Sequence, residues 1–593
     1  MGQIAVWSRR ALGCLVGALL AVPLMAAAAQ AAPAVAVSPL NGTPDASPYT
    51  QISFLGVAAA EITKVSVVGS STGSHSGSLK SYVSATGASF LPTHQFAQGE
   101  SVTASATVGP KGHTSTVKTT FTVARLAPYS EPQSSQPHLT RPGLVQKFHS
   151  SPSLEPPSIF VTADSDSAAQ GDIFLTPSSG YGQRGAMIMD RHGRLIWFHP
   201  APKGQTAADL QVESYQGQPV LVWWQGHVAT GLGVGFGRVA VYSTSYKPVA
   251  TIGAGNGYQA DLHEAQLTPS GSAYITAYTL VNADLSSAGG KSDGILQDAI
   301  VQQVDVPTGL VMFEWHAYGH VALYDSYSNA PKFIQHPWDF FHVNSVSLDP
   351  WGDGNFMVSS RNTWAAYEVN HVSGSVMYRL GGRHPTFKMG PGTGTAYQHD
   401  VRWQPDHTLT IFDNGAAPKR HSESRAIRER IDFAKRTVSL VGRLTGKILS
   451  GSQGDDQILA NGDSFIGWGE EPYLTEFSPT GQVLFSAHFP SPGQSYRALR
   501  FPWSAVPASR PAIAVSAPSA TSATVYASWN GATGVTAWRV LGGPSSSSLS
   551  PLATVNSTGF ETAIPVGGAV AFMSVQALGA SGEVLGSSPA QAR

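Results

Sequence analysis

Three histidines occur in three similar contexts: Asp261-Leu262-His263-Glu264, Phe341-His342-Val343-Asn344 and Gln398-His399-Asp400-Val401. Each opens a short apolar strand that runs into a tight turn and a second strand. Near neutral pH an imidazole serves as nucleophile, acid–base group or metal ligand. A repeat that superposes these segments therefore brings versatile chemistry to one place. A lone buried histidine is most often a hydrogen-bonded core residue, but three at one phase of a repeat reverse that expectation.

Turn positions give the cross-strand neighbours. Across the turn Asp349 to Gly354, pairing Leu348 with Asn355 puts His342 opposite Arg361. A guanidinium beside an imidazole is unfavourable in a core unless an anion lies between them. Asn344, two residues on and so on the same strand face, adds an amide donor to that anion clamp. A turn centred near Asp406 puts His399 near Asp413, whose carboxylate would fix the ring's tautomer and stabilise its cation. A one-residue bulge would substitute Asn414. Glu264 and Asp400 fall on the opposite strand face and read as structural. His227, His316 and His320 are candidate pocket residues whose simpler reading is structural or surface, and the Asp349 to Asn355 turn reads as a turn rather than a calcium loop. The competing chemistry is a metal-dependent oxygenase or lactonase with His263, His342 and His399 as iron or zinc ligands. Arg361 opposes it, because a guanidinium repels a cation, so no metal and no cofactor are expected. A non-catalytic binding propeller is the third reading, with 13 Trp and 19 Tyr available for sugar stacking or for internal packing.

The elements that must position these residues are strands. The 593 residues suffice for roughly three to five domains. Residues 33–124 alternate in the β manner, as in Lys64-Val65-Ser66-Val67-Val68, and suggest a small immunoglobulin-like sandwich. Residues 125–157 are rich in Pro and Ser and read as a linker. Residues 510–593 again read as short strands and suggest a fibronectin-like sandwich. Between them, in 158–505, a glycine turn followed by an apolar strand recurs at Gly193, Gly309, Gly374 and Gly481. The gaps are 116, 65 and 107 residues, so two are about double the third. Units fill both long gaps, at residues 242–252 and 431–441. Six units of about 58 residues predict a six-bladed β-propeller. The predicted fold is therefore all-β, a propeller flanked by two sandwiches, with Ser495 to Arg500 as a late strand closing the ring.

Composition narrows the functional classes. Net charge is −1 and only 12% of residues are charged, which leaves no basic surplus for nucleic-acid binding. Arg9-Arg10, the apolar run Ala11 to Met25 and Ala29-Gln30-Ala31 read as a cleaved export signal over residues 1–31, hence a secreted or cell-envelope protein. No later apolar run is long enough to span a membrane. The one cysteine, Cys14, lies within that signal, so the mature chain has no disulfide and no thiolate chemistry. Nothing in the sequence fixes an oligomeric state.

The central 350 or so residues resemble the bacterial arylsulfate sulfotransferase family, in its secreted actinobacterial and fungal branch. The stretches that carry the resemblance are Asp261-Leu262-His263-Glu264, Phe313-Glu314-Trp315, Trp338-Asp339-Phe340-Phe341-His342-Val343-Asn344, Ser359-Ser360-Arg361, Arg379-Leu380-Gly381-Gly382, Gln398-His399-Asp400, Phe412-Asp413-Asn414-Gly415 and Ser495-Tyr496-Arg497. The resemblance implies transfer of a sulfuryl group from a phenolic sulfate ester to a phenolic acceptor, without the nucleotide donor of other sulfotransferases. It implies that His399 is the nucleophile that becomes transiently sulfated. It further implies that His263, His342, Asn344 and Arg361 hold the sulfuryl oxygens and protonate the leaving phenolate. Enterobacterial relatives have a disulfide near this site, which a mature chain without cysteine lacks.

Overall fold

Apolar side chains recurring at every second position, as in Ser101–Val108 with Val102, Ala104, Ala106 and Val108 all buried, make a half-buried strand the favoured state of much of this chain. The structure, a computed structural model, describes residues 35–128, 138–332, 336–519, 521–568 and 570–593. It is all-β, with only three short 3-10 turns among the described residues. The export signal expected over 1–31 lies outside the described residues, and the Pro/Ser-rich stretch is described only in part. No helix among the described residues is long and apolar enough to cross a membrane.

At the N-terminal side two four-stranded sheets share one apolar core. Phe54 and Phe90 enter it from one sheet, and Val67, Val102 and Phe121 from the other. Near the C-terminus a three-stranded and a larger sheet close on Val525, Trp529, Trp538, Val540 and Ile564 in the same way. Specific bonds tie both to the central sheets. Ser53 Oγ donates to Val311 O (2.5 Å), and Asn530 exchanges two 2.9 Å hydrogen bonds with the Phe198 backbone.

The central residues form antiparallel meanders. One sheet runs outward from Ser495–Phe501 through Asp172–Pro177 and Gly185–Met189 to Leu195–Pro200. The chain's late strand thus pairs with an early one. Two further meanders begin at Thr206–Tyr215 and Ala260–Leu267 and are joined into one nine-stranded sheet by a single bridge between Gly237 and Ala260. The last three begin at Val343–Leu348, His399–Trp403 and Asp455–Ile458, and Phe160–Asp164 is added at the outer edge of the last. The six innermost strands touch in a closed circuit. Thr206–Tyr215 contacts Ala260–Leu267, and contact then passes to Val343–Leu348, His399–Trp403, Asp455–Ile458, Ser495–Phe501 and back. The glycine turns at 193, 309, 374 and 481, and the turns near 245 and 434, each join the last two strands of a meander.

Candidate active site

Each of the three histidines sits where an innermost strand breaks register. The pairing of Ala260–Leu267 with its neighbour shifts between Ala260 and Ala265, around His263. That of Val343–Leu348 shifts between Val343 and Ser345, just after His342. That of His399–Trp403 shifts between His399 and Arg402. A bulge leaves a residue out of the ladder and re-aims its side chain, which is why bulges gather at active sites. The backbone departs from the strand region at the same places: His342 has φ +58° and Asp400 φ +52°. A non-glycine residue in this left-handed region costs about 1–2 kcal/mol, and the surrounding sheet must offset it.

The bulges turn His263, His342 and His399 into one cavity of about 1050 Å³, which Arg361, Gln453 and Tyr496 also line. The rings of His263 and His342 stand edge to face, 4.8 Å between centroids. Their Nδ1 atoms face carboxylates: His263 to Asp261 Oδ2 and His342 to Asp339 Oδ2, both at 2.6 Å. His399 differs. Its Nδ1 faces a neutral amide oxygen, Asn414 Oδ1, at 2.7 Å, with Tyr397 O at 3.1 Å. These acceptors assign the His399 proton to Nδ1 and leave the Nε2 lone pair free of a proton. The Gln453 backbone N–H donates to that Nε2 at 3.2 Å.

Electrostatics separates the three in the same way. Burial, Arg361 and the two other histidines hold His399 well below the ordinary histidine range, so it is neutral at physiological pH. Burial also lowers His342, although Asp339 opposes the shift. Asp261 accepts bonds from Gly235 N (2.7 Å), Thr276 Oγ1 (3.0 Å) and His263. Burial alone would raise its pKa, but the His263 charge and these bonds hold it below the usual carboxylate range. Arg361 donates to Asn362 Oδ1 (2.9 Å) and lies 5.1 Å over the Tyr397 ring, and it forms no ion pair among the described residues. A guanidinium without a carboxylate partner, lining a cavity beside the neutral His399, suits an anion supplied from outside.

Arg361 is where the hairpin register puts it: its N–H donates to His342 O at 3.0 Å. Two other expectations need correction. Asp413 is not the partner of His399. The bulge sets His399 opposite Phe412, and Asp413 instead pairs with Arg425 and with His421 Nε2 (3.1 Å). Asn414, the alternative, takes that place. Asn344 does not line the cavity. Its amide donates to Gln398 O (2.7 Å), because the bulge after His342 turns it into the strand interface. Sequence reasoning missed Asp261 and Asp339 as the partners that orient His263 and His342, although both lie two to three residues before their histidines. The ligand nitrogens of the three histidines do not converge within 4.8 Å as a metal set. Glu264 and Asp400 belong to a buried ion network. Arg402 pairs with Glu264 (2.6 Å) and Asp400 (2.7 Å), and Arg497 with Asp209 (2.8 Å), Glu264 and Asp400 (both 3.3 Å).

Residues 211–490 match the model of a family described as arylsulfotransferase (ASST). No curated protein matches the chain. Among solved structures, a protein of unknown function from Bacteroides caccae aligns with 56% of this chain and 100% of its own, at 10% identity and a TM-score of 0.36. A catalytically inactive virginiamycin B lyase from Staphylococcus aureus aligns over 63% and 96%, at 9% identity and a TM-score of 0.30. A GH43 protein from Bacillus licheniformis aligns over 65% and 88%, at 10% identity and a TM-score of 0.27.

Proposed function

We propose that the protein is a secreted aryl sulfotransferase that moves a sulfuryl group from a phenolic sulfate ester to a phenolic acceptor through a sulfated His399. The family match over 211–490 supports aryl sulfotransfer in general and small aryl substrates. The observation that carries the mechanism is the unequal bonding of the three histidines in the one cavity. His399 alone has its Nδ1 proton on a neutral acceptor, and burial and Arg361 suppress its charge further than burial does for His342, which Asp339 supports.

In the first half-reaction His399 Nε2 attacks sulfur, the S–N bond forms and the aryl O–S bond breaks. The electron pair leaves on the phenolate oxygen. His263 or His342, each backed by a carboxylate, gives that oxygen a proton. Arg361 takes the negative charge spread over the sulfuryl oxygens, and the Gln453 N–H that now caps Nε2 turns to an oxygen once nitrogen is bonded to sulfur. In the second half-reaction the acceptor phenol loses its proton to the same histidine, attacks sulfur and frees His399. Two displacements through one covalent intermediate give ping-pong kinetics. No nucleotide donor and no metal enters either step.

The scaffold in this proposal is a six-bladed propeller over 158–505, which the closed circuit of six innermost strands supports. Sandwiches over 33–124 and 510–593 flank it, and the signal over 1–31 directs export. The test is incubation with an aryl sulfate, rapid quenching, and intact-protein and peptide mass spectrometry. One added SO3 on the His399 peptide, absent after addition of phenol, is the expected result. Turnover by His399→Ala at the wild-type rate would overturn the mechanism.

A further inference from the structure

A second cluster of chemically capable side chains lies where the N-terminal sheets meet the centre. Asp45 comes from the segment after strand Ala36–Ser38, Asp298 from strand Gly294–Asp305, and His316 ends strand Leu310–His316. All three are buried, at 2%, 0% and 1% exposure. His316 Nδ1 lies 2.8 Å from Asp298 Oδ2 and 3.1 Å from Asp45 Oδ1. Its other nitrogen, Nε2, lies 3.1 Å from Glu314 Oε1. Glu314 is fixed in turn by Asn256 Nδ2 (2.7 Å) and Gln302 Nε2 (2.5 Å) on Oε2. Tyr318 N–H holds the other oxygen of Asp298 at 2.8 Å.

Three carboxylates therefore surround one imidazole, and no Lys or Arg pairs with any of them among the described residues. Even with His316 doubly protonated the group carries excess negative charge in a buried place, which a protein tolerates only with a counter-charge or bound protons. Asp45 shows the deficit most clearly. The bond from His316 Nδ1 goes to Asp298, so both carboxylate oxygens of Asp45 are buried without a hydrogen bond despite the 3.1 Å approach.

We infer that Asp45, Asp298 and His316 bind a divalent cation of the zinc class, which clasps the N-terminal sheets to the central ones. One ligand atom from each lies within 4.8 Å of the other two. Tetrahedral bonds of about 2.0–2.1 Å set ligand atoms about 3.3 Å apart, close to the 2.8 and 3.1 Å observed. The outer contacts are also those of a metal site. A ligating histidine hands its second N–H to a carboxylate, here Glu314, and a ligating carboxylate is hydrogen-bonded on its free oxygen, here by Tyr318. One nitrogen and two oxygens suit Zn2+ better than Ca2+ or Mg2+, which prefer all-oxygen shells. The cation's role is structural, because the cluster belongs to a different set of strands from the three cavity histidines.

The test uses the full secreted chain, purified without chelator. Elemental analysis after gel filtration is expected to find about one zinc-class ion per chain. Chelation is expected to lower the melting temperature by at least about 2 °C, and added Zn2+ to restore it. Asp45→Asn and His316→Gln are each expected to lose the bound ion and the Zn2+-dependent rise, with sulfuryl transfer by Asp45→Asn unchanged. If purified wild type holds no metal and Zn2+ leaves the melt of the chelated protein unmoved, the inference fails. In that case the cluster is a proton-holding contact. It fails equally if both variants bind zinc with the wild-type melting shift, which would place the ion elsewhere. The wild-type melt decides the question even where a variant does not fold.

Discussion

Replacing Asn414 by Asp tests the sorting of the histidines directly. The substitution changes the partner of His399 Nδ1, at 2.7 Å, from a neutral amide oxygen to a carboxylate. The same partner serves His263 and His342. An opposite charge within about 4–6 Å raises a histidine pKa by roughly 1–3 units, equivalent to about 1.4–4 kcal/mol in favour of the imidazolium. In the native protein burial, Arg361 and the neighbouring histidines hold His399 far below 6.5, so its neutral form, the nucleophile of the proposed mechanism, persists into acid. In Asn414→Asp the acidic limb of kcat/KM for transfer from a chromogenic aryl sulfate to phenol is expected to move up by about 1–3 units. At a pH about one unit below the new midpoint the variant retains roughly a tenth of its plateau rate. The plateau itself falls less, because Nδ1 still has an acceptor. Loss of the amide N–H to Gln453 O (3.0 Å) and Ser450 O (3.3 Å) perturbs the loop, so a melting curve must accompany the profile. A folded variant with an unmoved acidic limb would refute the assignment of His399 as the group that must be neutral.

Three further outcomes follow from the geometry. Arg361→Lys keeps the charge but loses the planar fork, and is expected to cut single-turnover sulfation about tenfold to a hundredfold without changing the melting temperature. Asp339→Asn weakens the acid behind His342, so its rate loss is expected to be small for a nitrophenyl sulfate and to grow to about a hundredfold for unsubstituted phenyl sulfate; equal losses for both would remove His342 from proton transfer. Glu368, buried and accepting from Trp403 Nε1 (3.2 Å), is pushed by burial up to about 8. The folded state keeps its proton while the unfolded state releases it near 4.5, so this contribution is full below 4.5 and is lost as pH rises toward 8. Glu368→Gln does not titrate, and its melting temperature is expected to gain on wild type between pH 5 and 9, by an amount worth a few kcal/mol. A constant difference across that range would refute the shift.

The site was legible in the sequence to the extent that strand register is. Apolar alternation and turn glycines mark the strands, and three similar segments mark where the histidines converge. What the sequence hides is the bulges. His342 and Arg361 were placed together by pairing Leu348 with Asn355, yet Leu348 lies opposite Phe356. The bulge between Val343 and Ser345 then restores the expected pairing at Val343 with Ser360, so two offsets cancel. At His399 nothing cancels. The ladder fits the assumed turn at Trp403 with Leu409 and at Arg402 with Thr410, then slips, and Asp413 gives way to Asn414. The slip rests on Asp400 at φ +52°, a conformation that no residue pattern announces for a non-glycine residue.

Those breaks in the ladders also explain the buried ions next along the chain. A strand that leaves its register at the start loses the backbone bonds that would hold its first residues, and here those residues are the chemical ones. Glu264 follows His263 and Asp400 follows His399, and both are gripped by Arg402 and Arg497. Arg497 reaches further, donating to His263 O and Asn344 O at 3.2 Å each. One guanidinium thus binds the backbone of two innermost strands and the side chains of three, Asp209 included. Such a network adds little net stability, since desolvating the charges consumes most of the attraction. Its effect is positional: ion pairs fix the strand starts where hydrogen-bonded register has been given up. The histidines can then be aimed inward by bulges without becoming loose, and an imidazole held to within a fraction of an ångström is what the proposed displacement at sulfur would require.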